Sequence, residues 1–226
     1  MAAGTASGPA ADGPASGATL AEQAYRAITD RLVTLQIRPG APVHDARLAE
    51  ELGLGRTPVR EALKRLETER LIVAYPRRGT FATEVQIADL GHISEVRQQL
   101  EPLAASIAAR RATAADRERL TGFLARLEPA PGTTDDDTEL LRLDMAVHRA
   151  VYAVTHNPYL EATLIGYDNL ATRIWCLFVD RLDGLDQHVH EHGQMLRAVI
   201  EGDAPKAAAL AAEHVDNFER AIRSVI

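Results

Sequence analysis

The sequence predicts a mainly α protein, with an N-terminal winged helix-turn-helix that carries a small β-hairpin wing, followed by an all-α helical bundle. Three observations predict it. Apolar residues recur at spacings of three and four in successive stretches before residue 70. Two short β-like runs around a basic tip come next, and from Ile87 onward the composition turns to Ala, Leu, Arg and Glu with no strand period. With 226 residues and 46% hydrophobic content, the chain can bury a core in one or two domains.

Residues 1–18 are mostly Ala, Gly, Pro and Ser, which bury too little to offset the entropy of ordering, so a disordered tail is expected there. Residues 19–85 are read as the winged helix-turn-helix domain and residues 86–226 as the all-α one. Leu20, Ala24, Tyr25, Ile28, Leu32 and Leu35 fall on one helical face, and the helix must stop before Pro39-Gly40. A second, short helix fits ARLAEEL from Ala46, with Asp45 as its cap and Gly53 as its left-handed stop.

The stretch ELGLGRTPVREALKRLE places Pro58 where a helix tolerates proline, in its first turn, with Thr57 positioned to cap. Val59, Ala62, Leu63 and Leu66 form its apolar face, and Arg60 and Lys64 project elsewhere. Then LIVAYP and GTFATEV form a hairpin whose tip holds Arg77, Arg78 and Gly79. Helix, helix, short turn, helix and hairpin is the order of a winged helix-turn-helix, whose third helix enters the major groove while the wing approaches the backbone or minor groove. Arg56 and Arg60, one turn apart at the start of that helix, can each offer a guanidinium fork to guanine O6 and N7. Thr57 suits a phosphate, and Arg77 and Arg78 at the wing tip suit a phosphate or the minor groove.

Charge supports this placement. The net charge is −7, yet residues 19–85 hold 11 Lys and Arg against 9 Asp and Glu, whereas residues 86–226 hold 14 against 22. The sole cysteine, Cys176, excludes an intrachain disulfide or a multi-cysteine zinc site and reads as a core residue. No apolar run of about 18 residues and no charged n-region with an apolar h-region appears, so neither a membrane span nor a secretory signal is expected, and the protein is placed in the cytoplasm.

The bundle breaks at Pro129-Ala130-Pro131-Gly132, Asn157-Pro158, Asp183-Gly184 and Gly202-Asp203, giving six or seven helices. Asp144 and His148 are four residues apart, so a carboxylate and an imidazole share one helical face. His192 lies 11 residues before Asp203 and His214 lies 11 after it. Equal distances from the turn of an antiparallel helix pair bring the two to one height. One carboxylate and three imidazoles suit a divalent ion such as Zn or Ni with a position left open. His188, four residues before His192, competes as a ligand, and His156 reads as a helix-end residue. Tyr167, Trp175 and Phe178 could line a pocket in a chain that is only 4% aromatic, a composition suited to a small ligand.

The run RPGAPVHDARLAEELGLGRTPVREALKRLETERLIVAYPRRGTF resembles the DNA-binding domain of the GntR family of bacterial transcription regulators. The family often has Ser or Thr where this chain has Gly55, and usually Gly where it has Arg70. The resemblance implies a DNA contact at Arg47. Asp144 and His148 in D-x-x-x-H, Glu191-His192 and the later His214 resemble the FCD effector-binding domain of the FadR branch, which implies a bound divalent ion. It also implies that Arg97 contacts the effector; an i, i+4 salt bridge to Glu101 is the other reading of Arg97.

The expected function is that of a transcriptional regulator, a repressor, which binds an inverted-repeat operator in double-stranded DNA as a homodimer and answers to a small carboxylate effector at the metal. Two alternatives stand beside it. One is a metal-dependent enzyme, weakened by the lack of a general base, since Glu191 and Glu213 are expected to point off the histidine faces; the other is a sensor of the metal ion itself.

Overall fold

The computed structural model describes residues 18–127, 136–182 and 184–226. In chain order they form α1 (Leu20–Val33), β1 (Pro42–Val43), α2 (Asp45–Leu52), α3 (Arg56–Thr68), β2 (Ile72–Tyr75), β3 (Gly79–Ala82), α4 (Leu90–Arg111), α5 (Ala114–Leu127), α6 (Asp137–Val154), α7 (Pro158–Phe178), α8 (Leu185–Glu201) and α9 (Ala204–Arg223). The class is the expected one, with six helices after residue 89 among the described residues. The tail expected over residues 1–18 lies, apart from Ala18, outside the described residues, as do the break at Pro129 to Gly132 and Asp183.

Local chemistry fixes most boundaries. Thr19 caps α1 by accepting from the Glu22 N–H at 3.1 Å, and the helix ends at Val33 because Leu35 turns left-handed, with φ of 57°. Leu35 is therefore the reversal residue and not part of the apolar face. Gly53 at φ 64° stops α2, and Asp203 caps α9 through the Lys206 N–H with Pro205 in the first turn, both as expected.

Two caps differ from expectation. Asp45 is the first residue of α2, whose cap position is His44, and its carboxylate is turned away toward α3. Thr57 lies inside the first turn of α3, and Gly55 holds the cap position with no side chain to accept a hydrogen bond. The first N–H groups of α3 are thus left to an outside acceptor.

The sheet has the order β1-β3-β2, all antiparallel, with Val43 opposite Thr80 and Val73 opposite Phe81. Strand β1 was not expected, because two residues, one of them Pro, carry no readable period. At the α3 to β2 corner Arg70 holds φ 62°, the left-handed conformation that glycine takes without strain and that costs a side chain about 1 kcal/mol or more. The Leu71 N–H closes that corner on the Leu66 carbonyl at 3.0 Å.

Among the described residues, two large hydrophobic cores form, beside a smaller cluster of Ala104, Tyr152, Leu160 and Leu164. Ala24, Ile28, Leu32, Val59, Leu66 and Leu71 bury together beneath α1 and α3, while Val147, Val189, Leu196, Val199, Ala207 and Ile222 anchor the helical bundle. The cores meet where Met145 of α6 and Leu170 of α7 pack against the first. Arg142 grips Asp30 of α1 through two hydrogen bonds of 2.9 and 3.0 Å. Arg173 of α7, 1% exposed, donates to the Thr83 hydroxyl at 2.7 Å and to the Thr83 carbonyl. The Thr83 N–H in turn donates to the Leu71 carbonyl, and its hydroxyl reaches the Arg70 and Leu71 carbonyls. One buried guanidinium thus ties α7 to the corner that carries the wing.

Candidate functional site

Two sets of polar residues stand out, one exposed and one buried. The exposed set lies on α2, α3 and the wing. Val59, Ala62, Leu63 and Leu66 turn inward, as the spacing requires, and this leaves Arg56 and Arg60 in solvent. They do not stand free. The Asp45 carboxylate accepts from Arg56 at 3.1 and 3.2 Å and from Arg60 Nε at 2.5 Å. Arg47, 77% exposed, pairs with Glu51, which also takes Arg31. A groove separates Arg60 and Lys64 on α3 from Ala74, Gly79 and Thr80 on the wing, with His44 and Asp45 at its side. Arg77, Arg78 and Gly79 are exposed at the wing tip, Arg77 at φ 65° and Gly79 at φ 99°. Thr57 is exposed on the first turn of α3.

The buried set gathers the other sequence candidates. Asp144, His148, His192 and His214, all buried, place one ligand atom each within 4.8 Å of the others. The His192 and His214 ring centroids are 4.2 Å apart, as the mirrored spacing about Asp203 requires. His192 Nε2 lies 2.8 Å from Asp144 Oδ1, leaving Nδ1 buried without a partner. His214 Nδ1 lies 3.2 Å from Glu191 Oε2, and a carboxylate only accepts, so that nitrogen carries the proton and the buried Nε2 keeps an unused lone pair. His148 Nδ1 contacts the Tyr152 hydroxyl at 3.0 Å.

Glu191 was expected to point off this face. Instead it accepts from His214 and, at 2.8 Å, from the Asn217 amide, because α8 and α9 pack close enough for its longer side chain to cross between them. His188 is not among the four. It stacks between Trp175 and His214 with centroids 4.5 and 4.1 Å away, and forms a second potential ligand group with Glu191 and His214. His156 does end a helix, at φ 50°, with Nε2 2.9 Å from Asp116 Oδ2.

Burial decides the protonation states. It pulls His148 down to about 4 and His188 to about 3, and it takes His214 well below the usual imidazole range. Neutral imidazoles are what metal ligation needs. Burial opposes ionisation of Asp144, but the neighbouring His148 and the N–H from His192 outweigh it and hold the carboxyl low. Neutral His148 and His214, an ionised Asp144 and two unused buried nitrogens, His192 Nδ1 and His214 Nε2, fit a divalent ion.

Beside this cluster is a small cavity bounded by Arg97, Asp144, His148, Asp168, Trp175 and Phe218, with about 10 Å³ open to the centres of water molecules, room for one. Of the two sequence readings of Arg97, the salt bridge is seen: its Nε pairs with Glu101, both buried, and its guanidinium lies 4.9 Å from the Phe218 ring at the cavity wall. Trp175 lines the cavity; Phe178 packs in the core, and Tyr167 lines a separate crevice between α4, α7 and the wing corner. Sequence reasoning missed Asp168, whose Oδ2 is buried without a partner and whose carboxyl burial raises to about 8. A lone acid, followed by Asn169, within the largely apolar LIGYDNLA was the available signal. Cys176 is partly buried against the core and burial raises its thiol to about 12, which keeps it inert.

Comparison with known proteins agrees with both halves. The model of bacterial regulatory proteins of the gntR family matches residues 20–82, and that of the FCD domain matches residues 92–217. The Nta operon transcriptional regulator of Aminobacter aminovorans is 29% identical over 198 residues, covering 86% of this chain and 92% of its own. The HTH-type transcriptional regulator YdhC of Bacillus subtilis is 30% identical over 63% of each chain. In fold, the solved structure of E. coli McbR/YncC superposes with a TM-score of 0.78 at 23% identity, covering 92% of this chain and 99% of that one. No described helix is long and apolar enough to cross a membrane.

Proposed function

The chain is a member of the GntR family of bacterial transcription regulators with an FCD effector-binding domain, and from this premise we propose that it is a repressor released from its operator by a small organic acid. Residues 19–85 read DNA and residues 86–226 sense the ligand. It acts in the cytoplasm as a homodimer on an inverted repeat, with the half-site spacing set by its two-fold axis. The enzyme alternative is set aside, since its relatives are transcriptional regulators.

The observation that carries the sensing half is the pair of unused buried nitrogens, His192 Nδ1 and His214 Nε2, in a cluster that opens on a cavity walled by Arg97. Asp144, His148, His192 and His214 would hold a divalent ion, zinc or nickel, which supplies a Lewis-acidic point for a carboxylate. Arg97 offers a guanidinium to the same carboxylate, and Trp175 and Phe218 exclude water from its apolar end. On DNA, Arg56 and Arg60 read base edges in the major groove, while Arg47, Thr57 and the wing residues Arg77, Arg78 and Gly79 engage the backbone or minor groove.

The cavity has room for a single water, so an acid enters only if its walls part. Asp168, Thr172 and Trp175 of one wall belong to α7, which also carries Arg173 and its hold on Thr83. Displacement of α7 therefore reaches the wing corner through the Arg173 to Thr83 link. A coupling of about 1–3 kcal/mol is enough for a regulator.

The test is fluorescence anisotropy with duplex DNA from around the protein's own gene at two salt concentrations, with and without zinc and a panel of small carboxylic acids. Salt-sensitive binding that Arg56→Ala and Arg60→Ala weaken, and that one acid relieves only in metal-loaded protein, is the expected result. The smallness of the cavity favours a second reading, in which the ion itself is the signal; release by zinc alone, with every acid inert, would establish that instead.

A further inference from the structure

The regulator carries its own counter-charge inside the reading surface. Asp45, at the first position of α2, contacts Arg56 with both carboxylate oxygens and Arg60 with one, so a single side chain spans two arginines of another helix. Its side chain is 25% exposed, while those of Arg56 and Arg60 are 56% and 63% exposed. The carboxyl is held below the ordinary carboxylate range, chiefly by the Arg60 hydrogen bond, so it is ionised whenever DNA is met. Its position as the first helical residue adds the favourable end of the α2 dipole.

We infer that Asp45 is the positioning residue that makes Arg56 and Arg60 selective for bases over phosphates. An unpaired arginine swings through many rotamers and meets any phosphate within reach. With Asp45 holding Arg60 by Nε and Arg56 by one terminal nitrogen, each guanidinium keeps its remaining N–H donors on the side away from the carboxylate. That fixes the fork direction before contact, which is what bidentate guanine recognition needs. The same charge repels a misplaced backbone and so weakens binding to arbitrary sequence. Asp45 faces Arg56 and Arg60 and stands in one groove with His44, Lys64 and Glu67, so its local balance is cationic without being open to every anion. Two effects of one carboxylate point the same way: the specific complex tightens and the non-specific one loosens.

The experiment compares Asp45→Asn, which keeps the shape and removes the charge, with Asp45→Glu and with Arg56→Ala, using the full chain. An operator sequence is first selected from a random duplex pool with the wild type; operator and random-duplex affinities are then read by anisotropy across a salt series, with thermal melting as the folding control. For Asp45→Asn the expected outcome is tighter random-DNA binding with a salt slope steeper by about 1, weaker operator binding, and a ratio between them that falls roughly tenfold or more. A repeat selection with that variant should return relaxed preference at the same base positions that Arg56→Ala relaxes, and Asp45→Glu should restore most of the ratio. Equal tightening on operator and random DNA would show Asp45 to be a mere competing charge and overturn the inference, as would an unchanged ratio in a folded variant. Failure of the wild type to select any sequence would instead strike at the operator reading on which the inference rests.

Discussion

The two polar sets handle charge in opposite ways. On the reading surface, Arg47, Arg56 and Arg60 are more than half exposed and neutralised by neighbouring carboxylates, Glu51 and Asp45, across water-accessible contacts. In the helical bundle, Asp144, His148, His192 and His214 are buried; burial keeps His148 and His214 neutral, while the neighbouring histidines hold Asp144 ionised against it. Exposed pairs of the first kind are worth only about 0–1 kcal/mol each and weaken with salt. A buried set of the second kind is satisfied completely or is costly. The difference teaches that the exposed pairs can exchange partners at little cost, whereas the buried cluster cannot lose one without a penalty.

The largest effect should come from breaking the buried set. Asp144→Ala is expected to abolish the metal-induced rise in thermal stability, which for wild type at about 1,000 times the dissociation constant amounts to about 4 kcal/mol. Differential scanning fluorimetry of metal-stripped protein with added zinc checks this, and a variant that still responds would show that the ligands lie elsewhere. On the exposed surface, Arg56→Ala and Arg60→Ala should each remove about 1–3 kcal/mol of base discrimination while leaving the melting temperature unchanged. Competition anisotropy with single-base operator variants reads the loss, and a uniform loss on all sequences would reduce the pair to phosphate contacts.

Glu191→Gln probes the outer layer of the buried cluster. It removes the acceptor that orients His214 and should weaken metal affinity about 10- to 100-fold, with DNA affinity of the metal-free protein unaffected. Chelator competition measures it. Asp116 gives the smallest effect and separates general acid lability from loss at the cluster. Burial alone would raise this carboxyl, but hydrogen bonds from Thr113, together with His156, bring it down to about 2. A depressed carboxyl stabilises the fold above its unfolded value, so stability should fall as pH drops from about 4 toward 2. Asp116→Asn should flatten the melting temperature over that window, and an unaltered profile would place the acid sensitivity elsewhere.

Much of this was legible in the sequence because it depends on local spacing. The 3.6-residue period gave α1, α3 and the bundle helices; the mirrored distances of His192 and His214 about the Asp203 turn gave a contact between residues 22 apart. What escaped depends on tertiary approach. Asp45 has the right chemistry for a cap, and only the proximity of α3 diverts it. Glu191 lies off the histidine face on a helical projection, yet α9 comes near enough for it to reach His214. Strand β1 exists because β3 offers a partner, and Gly55 could cap α3 in place of Thr57 because the backbone and not the side chain sets that position. Asp168 shows itself only when four other helices close around it.

The hold of Arg173 on Thr83 also bears on how such chains can be recombined. A DNA-reading half and a sensing half that share one guanidinium are not freely interchangeable parts. A chimera joining this N-terminal half to another sensor would need a cation at the Arg173 position of the incoming helix. Without one, the Thr83 carbonyl and hydroxyl would lose their partner at the junction. The fusion site that preserves function is set by this contact in space, and a cut placed in the linker alone would leave it broken.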